Sequence, residues 1–191
     1  MVCFDLFGLR IALDFTAPAL FALLSMYLPR AALCRTAAAC LLHECAHLLM
    51  LAVLGRKPAL LRISAVGLRL ETPGTAVMPL HLYAAVLLAG PAANLLAGIL
   101  FFCGGMPDAA AANFSLCGFN LLPFRSTDGG SLLTALLEHR LLLRAPELPR
   151  RIMRCLSTGT ALLMLGAMLP DCRNLSLCGM IFYMLIAEYA A

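Results

Sequence analysis

Long apolar stretches are the feature that most restricts what this chain can fold into. They fill most of its 191 residues, of which 62% are hydrophobic and 13% charged, and the mean hydropathy is +0.93. A helix that crosses the hydrocarbon core of a bilayer needs about 20 mostly apolar residues. Several such stretches are present and little sequence remains outside them. We therefore predict a single integral membrane domain, residues 1–191, and exclude a soluble enzyme.

The apolar stretches predict an all-α polytopic membrane protein with about six transmembrane helices. Their predicted bounds are 11–28, 34–54, 80–102, 111–137, 153–169 and 175–190. A loop at residues 120–130 breaks the fourth stretch, and non-helical backbone at this depth is tolerated only when protein buries it or it lines a water-filled cavity. Between helices 2 and 3, residues 60–71 alternate apolar and polar side chains, which predicts a short β-hairpin at the membrane face.

The basic residues predict the orientation in the membrane. Six spans would place both termini on the same side of the membrane. Most of the 14 lysines and arginines fall on that side. The side whose short loops are richer in lysine and arginine is cytoplasmic, so both termini and the hairpin are predicted to be cytoplasmic. These residues are spread over short loops without interleaved aromatic residues, which argues against nucleic acid as a partner. The 9 cysteines include no CxxC pair, so a zinc-ribbon site is not indicated.

The second apolar stretch contains His-Glu-Cys-Ala-His at residues 43–47. Ionisable side chains are costly in hydrocarbon and therefore indicate function. On a helix His43 and His47 lie one turn apart on the same face, which is the spacing of a histidine pair that binds zinc, with Glu44 as the adjacent general base. The alternative is a pair of core histidines with satisfied hydrogen bonds, which leaves the neighbouring glutamate unexplained.

A third zinc ligand is needed, because catalytic zinc takes three protein ligands and leaves the fourth position to water. Asp128 lies in the interrupted fourth stretch and is followed by Gly129 and Gly130, which permit tight turns and close helix approach. An aspartate before glycine is also common as a turn or helix-cap residue. The zinc-binding pair elsewhere in the chain favours metal ligation.

Three motifs together resemble the site-2 proteases, the zinc intramembrane metalloproteases. Residues 43–47 match the first signature of that family, residues 90–94 (Gly-Pro-Ala-Ala-Asn) are similar to its middle core helix, and residues 119–123 (Phe-Asn-Leu-Leu-Pro) with residues 128–130 resemble its second signature. The motifs occur in the family's order, and the resemblance covers about residues 31–137, the three core helices. Six spans without a peptide-binding insert are most similar to the compact branch that contains the stage IV sporulation protease FB.

The resemblance implies a ligand set and a base. His43, His47 and Asp128 would bind zinc, and Glu44 would be the catalytic base. The chain departs from the family at residues 125–127, where Arg-Ser-Thr replaces a segment that is often proline-rich and apolar. A charge there could face the catalytic cavity, pair with a carboxylate or reach a lipid headgroup.

The resemblance also implies how a substrate would be bound. Asn94 and Asn120 would hold the substrate backbone or the developing oxyanion, although they could equally form hydrogen bonds between helices. Residues 60–71 would dock an extended substrate by strand addition. The expected partners are a membrane protein substrate, the lipid bilayer and a membrane-bound regulator, in a multi-pass protein of a bacterial cell membrane. A role in sporulation is an expectation from the resemblance alone.

The predicted function is zinc-dependent endoproteolysis of membrane-embedded or membrane-tethered proteins. A non-catalytic membrane pseudoprotease that binds partner transmembrane segments is the main alternative, and the intact set of histidine, glutamate and aspartate residues argues against it. A metal transporter is disfavoured because the sequence contains no internal repeats. A membrane zinc protease with glutamate as third ligand is also disfavoured, because a second helical motif is not found around the remaining glutamates, Glu71, Glu138, Glu147 and Glu188.

Overall fold

The computed structural model describes residues 2–6, 9–13, 29–56, 60–64, 67–71, 78–141, 143, 145–168 and 175–190. Within these residues the chain forms four strands and six helices. It divides into two compact units, Met1–Gly118 and Phe119–Ala191. The two units are described in turn.

The first unit contains a four-stranded sheet within its described residues. Strands β1 (Val2–Leu6) and β2 (Leu9–Leu13) pair antiparallel, as do β3 (Leu60–Ser64) and β4 (Gly67–Glu71), and the strand order is β1-β2-β3-β4. Strands β2 and β3 are parallel neighbours. A parallel pair requires a long crossover connection, and this one contains the first of the described helices, α1 (Arg30–Val53).

The sheet corrects the predicted first span. Residues 11–13 belong to β2, where Ile11 pairs with Leu61, so a helix cannot begin at Ile11. The remainder of that predicted span, residues 14–28, lies outside the described residues. The pairing of β3 with β4 agrees with the alternating pattern of residues 60–71. Its location at the cytoplasmic membrane face stays a prediction.

Three helices follow or flank the sheet in the first unit: α1, α2 (Leu80–Cys103) and α3 (Pro107–Asn120). Gly55 (φ +65°) follows the last turn of α1, and Gly105 (φ +72°) follows that of α2. In both places the amides of the glycine and of the next residue donate to carbonyls of the final turn. This arrangement ends a helix with a left-handed residue, which glycine adopts without steric cost.

The three helices bury polar groups and expose large apolar ones. Their buried residues are Leu33, Ala39, His43, His47 and Leu51 on α1, Gly90, Pro91, Asn94 and Gly98 on α2, and Ala110, Asn113 and Cys117 on α3. Exposed residues of α1 and α2 include Leu49 and Leu100. Polar groups inside and large apolar side chains outside are typical of a protein surrounded by lipid.

The second unit is built on three further helices and a non-helical loop. Its helices are α4 (Asp128–Leu141), α5 (Leu148–Met168) and α6 (Leu175–Ala190). Residues 121–127, between α3 and α4, form the ligand loop. Phe124 anchors this loop in an apolar core with Ala161, Ile181 and Met184.

The described helices lie close to the second to sixth predicted apolar stretches. Helices α3 and α4 are separated by the ligand loop, as the interrupted fourth stretch predicts. Two of the described helices, α1 and α2, are long and apolar enough to cross a membrane. Together with the apolar exposed faces, they indicate a membrane protein, whereas the number of six spans and the cytoplasmic termini stay predictions.

Candidate metal centre

The two histidines of the first motif lie on the buried face of α1, as their spacing predicts. His43 is 4% exposed and His47 is 5% exposed. Their Nε2 atoms are 3.1 Å apart, and the rings meet edge to face with centroids 4.7 Å apart. Two imidazole nitrogens therefore converge on one point inside the first unit.

A buried amide fixes the orientation of His43. Asn94 on α2 is fully buried, and its Oδ1 lies 2.7 Å from His43 Nδ1. Asn94 Nδ2 donates to the Ala39 carbonyl (3.1 Å) and to Asn113 Oδ1 (2.9 Å). Asn113 Nδ2 in turn donates to the Ala109 carbonyl. Because a carbonyl can only accept, these contacts turn Asn94 Oδ1 toward His43 and assign the ring proton to Nδ1.

A backbone carbonyl does the same for His47. Its Nδ1 lies 2.7 Å from the carbonyl oxygen of Val86 on α2 and must donate to it. In both rings Nδ1 therefore faces an acceptor, and the two Nε2 atoms face each other at 3.1 Å. In metal sites of proteins, ligating histidines usually donate their other ring N–H to a carbonyl or carboxylate in this way.

Gly90 provides the space in front of the two rings. A Cβ at this position would lie 2.6 Å from His43 Cε1 and 2.7 Å from His43 Nε2, and would also collide with His47 Nε2. Such distances are below any ordinary carbon contact. The glycine of the 90–94 motif is thus required because the α2 backbone passes directly beside the nitrogen pair, and Pro91 follows it in the same buried turn.

Asp128 is the first residue of α4 in the second unit, and Thr127 caps that helix. Thr127 Oγ1 accepts a hydrogen bond from the Gly130 amide at 3.3 Å, and its own proton is shared between the carbonyls of Leu122 at 2.5 Å and Phe124 at 2.8 Å. An N-cap residue accepts a hydrogen bond from an amide of the first turn. Thr127 is therefore the helix cap, which was the alternative role considered for Asp128. Asp128 lies in the first turn of α4 and is not its cap.

The glycines after Asp128 bring α4 against the ligand loop. A Cβ on Gly129 would lie 2.6 Å from the Leu121 carbonyl oxygen, and one on Gly130 would collide with the backbone of Phe124. The start of α4 and the ligand loop are therefore packed backbone to backbone. This contact fixes the first turn of α4, from which Asp128 projects.

Asp128, the predicted third ligand, belongs to the second unit, and its approach to His43 and His47 stays a prediction. Glu44 follows His43 on α1 and is half-buried. Asn120 is the last residue of α3, half-buried, and its predicted contact with substrate stays a prediction.

Asn94 and Asn113 modify the sequence-based interpretation. The hydrogen bonds of Asn94 favour the second of the two roles left open for it, interhelical hydrogen bonding, because both of its polar atoms are engaged within the first unit. Asn113 was not identified from the sequence. The signal was present, however, since an asparagine in an alanine-rich apolar stretch is costly unless it is paired.

No protein-family model matches the sequence, and no curated protein matches it. Among solved structures, the chain is similar to a site-2 protease from Methanocaldococcus jannaschii, with a TM-score of 0.71 and 20% sequence identity. The similarity covers 99% of this chain and 94% of that protein. The resemblance that three short motifs indicated is thus confirmed across nearly the whole chain at the level of structure. The protein has the fold of a site-2 protease.

Proposed function

We propose that the protein is a zinc-dependent intramembrane endopeptidase that cleaves membrane-embedded or membrane-tethered protein substrates. The observation that carries this proposal is the histidine pair, whose Nδ1 atoms are both committed to acceptors and whose Nε2 atoms lie 3.1 Å apart. Two nitrogens bound to one tetrahedral zinc at about 2.0–2.1 Å lie about 3.3 Å apart. The pair therefore fits a shared metal ion.

Asp128 is the proposed third ligand. Two neutral imidazoles and one carboxylate are a donor set that zinc accepts in catalytic sites with an open fourth position. When bound, zinc would lower the pKa of the attacking water and polarise the scissile carbonyl. A carboxylate ligand also balances part of the charge of a dication at membrane depth, where an unbalanced charge is costly.

Glu44 is the proposed general base. Its carboxylate would take a proton from the water that attacks the scissile carbonyl, and would then return this proton to the leaving amine. Its position next to His43 on α1 supports the role, because the adjacent residue of the same turn can reach a molecule in front of the histidine pair. Asn94, engaged in positioning His43, would act through that ring and not on the substrate.

The substrate class follows from the surroundings of the site. The exposed apolar faces of α1 and α2 support a site that lipid surrounds, so the scissile bond would belong to a transmembrane segment or lie close to one. A helical peptide bond is enclosed by its own hydrogen bonds and must unwind before water can attack it. Strand β4, an edge of the described sheet, could receive the unwound segment by strand addition, with the cytoplasmic side as the proposed source of water.

The experiment that tests this function compares Glu44→Gln with the wild type in lipid vesicles of defined composition. A panel of single-span peptides, labelled at both ends, is incubated with each protein and cleavage is read by mass spectrometry. We expect cleavage by the wild type, its loss on zinc chelation, and a decrease of about 10²- to 10⁴-fold for Glu44→Gln, the usual contribution of a general base. Glu147→Gln, the same change at an exposed glutamate, is the matched control.

Two outcomes would contradict the proposal. Equal cleavage by Glu44→Gln and the wild type would exclude Glu44 as the base. A wild-type protein that retains zinc and binds the peptides, yet never cleaves any of them, would favour the non-catalytic pseudoprotease.

A further inference from the structure

We propose that Glu188, near the C-terminal end of α6, is a positioning residue for Asp128. Its carboxylate holds the ligand loop in place by binding Arg125. This arginine belongs to the segment, residues 125–127, that is often apolar in site-2 proteases. The inference rests on the proposed function, since it concerns the placement of a zinc ligand. The sequence left three roles open for Arg125: facing the catalytic cavity, pairing with a carboxylate or reaching a lipid headgroup. The inference assigns it to pairing with a carboxylate.

The contact between Glu188 and Arg125 has two parts. Glu188 Oε2 accepts a hydrogen bond from the Arg125 backbone amide at 3.1 Å, and Glu188 Oε1 lies 3.2 Å from Arg125 Nε. The glutamate side chain is 1% exposed and the arginine side chain 24% exposed. One carboxylate thus binds both the backbone and the side chain of a single loop residue.

The two charges depend on each other. Arg125 Nε and Glu188 Oε1 are shielded from solvent, and neither makes an aligned hydrogen bond within the described part of the chain. Their attraction at 3.2 Å is therefore ionic. Removing one partner of a shielded ion pair leaves the other charge without compensation, whereas removing both can be nearly neutral for stability.

Uncharged contacts hold the ligand loop from other sides. Ser157 on α5, which is fully buried, donates to the Pro123 carbonyl at 2.7 Å. Ser131 on α4 donates to the Arg125 carbonyl at 3.1 Å. Arg125 therefore has its amide held by α6 and its carbonyl held by α4, so that its peptide planes are fixed on both sides.

A displacement of Arg125 would be passed on to Asp128. Arg125 lies three residues before Asp128, and Thr127 connects the loop to the first turn of α4 through its capping hydrogen bond. Gly130 packs against the backbone of Phe124 in the same loop. Metal ligands must be held within about 0.5 Å of a productive geometry, so a small shift of this loop would weaken zinc binding.

The test compares Glu188→Gln with the wild type and with Glu147→Gln, the same substitution at an exposed glutamate. Zinc affinity is measured on the detergent-purified chain by competition with a chromogenic chelator, and hydrogen exchange reports the protection of the ligand loop. We expect Glu188→Gln to weaken zinc binding severalfold, by less than about tenfold because it supports Asp128 only through the ligand loop, and to speed exchange at Arg125. Glu147→Gln should leave both unchanged.

The double variant Arg125→Gln/Glu188→Gln separates positioning from simple stability, and it replaces Glu188→Gln if that protein does not fold. We expect its thermal unfolding to return toward the wild type while its zinc affinity stays as weak as that of Glu188→Gln. Wild-type affinity in Glu188→Gln, or an affinity that recovers together with stability in the double variant, would overturn the inference and leave the proposed function standing. A folded wild type that binds no zinc would overturn both.

Discussion

The histidine pair and the aspartate are supported by different physical means. The histidines lie on a helix, and uncharged acceptors, Asn94 Oδ1 and the Val86 carbonyl, hold their Nδ1 atoms. Asp128 begins a helix that follows the non-helical ligand loop. A threonine cap, a hydrogen bond from a buried serine and an ion pair hold that loop in place. The first arrangement sets the protonation of a ligand, whereas the second sets the position of a ligand.

This difference predicts different sensitivities. In the first unit, a change that adds atoms or removes an acceptor acts on the ligand nitrogens themselves, so it should alter zinc affinity strongly. In the second unit, a change around the loop shifts a ligand without touching it, so it should lower zinc affinity less. Four substitutions, taken from the largest expected effect to the smallest, test this contrast.

Gly90→Ala should have the largest effect. The added methyl group would occupy the space in front of both Nε2 atoms, at 2.7 Å from that of His43, so we expect zinc affinity to fall by at least about 100-fold, the upper end for loss of an outer partner. Chelator competition on the purified chain measures it. Gly118→Ala on α3, where a Cβ meets nothing within 4 Å, is the control. Unchanged affinity in Gly90→Ala would show that the metal does not bind at the nitrogen pair.

Asn94→Ala should weaken zinc binding by about 10- to 100-fold, because His43 Nδ1 loses its acceptor. Asn94→Asp retains an oxygen for that proton but cannot donate to Ala39 and Asn113. Its affinity should therefore lie closer to the wild type, while its thermal unfolding should occur at lower temperature than in the wild type. If Asn94→Ala bound zinc like the wild type, the hydrogen bond would have no part in setting the ligand.

Asn113→Ala should produce a smaller loss of zinc affinity, below about tenfold, since it supports His43 only through Asn94. The Ala39 carbonyl still orients the Asn94 amide in this variant. The same chelator titration compares the two asparagines directly. A loss as large as that of Asn94→Ala would mean that Asn113, and not Ala39, determines which way the Asn94 amide points.

Thr127→Ala should affect stability more than zinc affinity. Loss of an N-cap costs about 1 kcal/mol, which corresponds to roughly 2–4 °C in the unfolding temperature of a chain of this size. Thr127→Ser, which retains the hydroxyl, should restore most of it. Circular dichroism of the protein in detergent provides the measurement. A zinc affinity lowered more than in Asn94→Ala, with stability unchanged, would reverse the contrast between the two regions.

Local patterns were sufficient to predict the described helices and the spacing of the histidine pair. A spacing of four residues places His43 and His47 on one face of any helix, and apolar stretches bounded by glycine or proline mark helix ends such as those at Gly55 and Gly105. The break before Asp128 was predictable for the same reason. These features depend on residues that are near one another in the sequence.

Features that depend on distant residues could not be predicted. Ile11 pairs with Leu61 in a parallel ladder, and nothing in the apolar run around Ile11 indicates that partner. The pairing of Arg125 with Glu188 likewise joins residues 63 positions apart. The sequence could show that Arg125 needed a partner, but several carboxylates were available to it.

The zinc content of the detergent-purified, folded protein tests the central claim most directly, with His43→Ala and Asp128→Ala measured beside the wild type. The account predicts about one zinc ion per chain in the wild type and loss of that ion in both variants. A folded wild type that holds no zinc would contradict the metal centre. Zinc retained at wild-type affinity by Asp128→Ala would contradict the role of Asp128 as the third ligand.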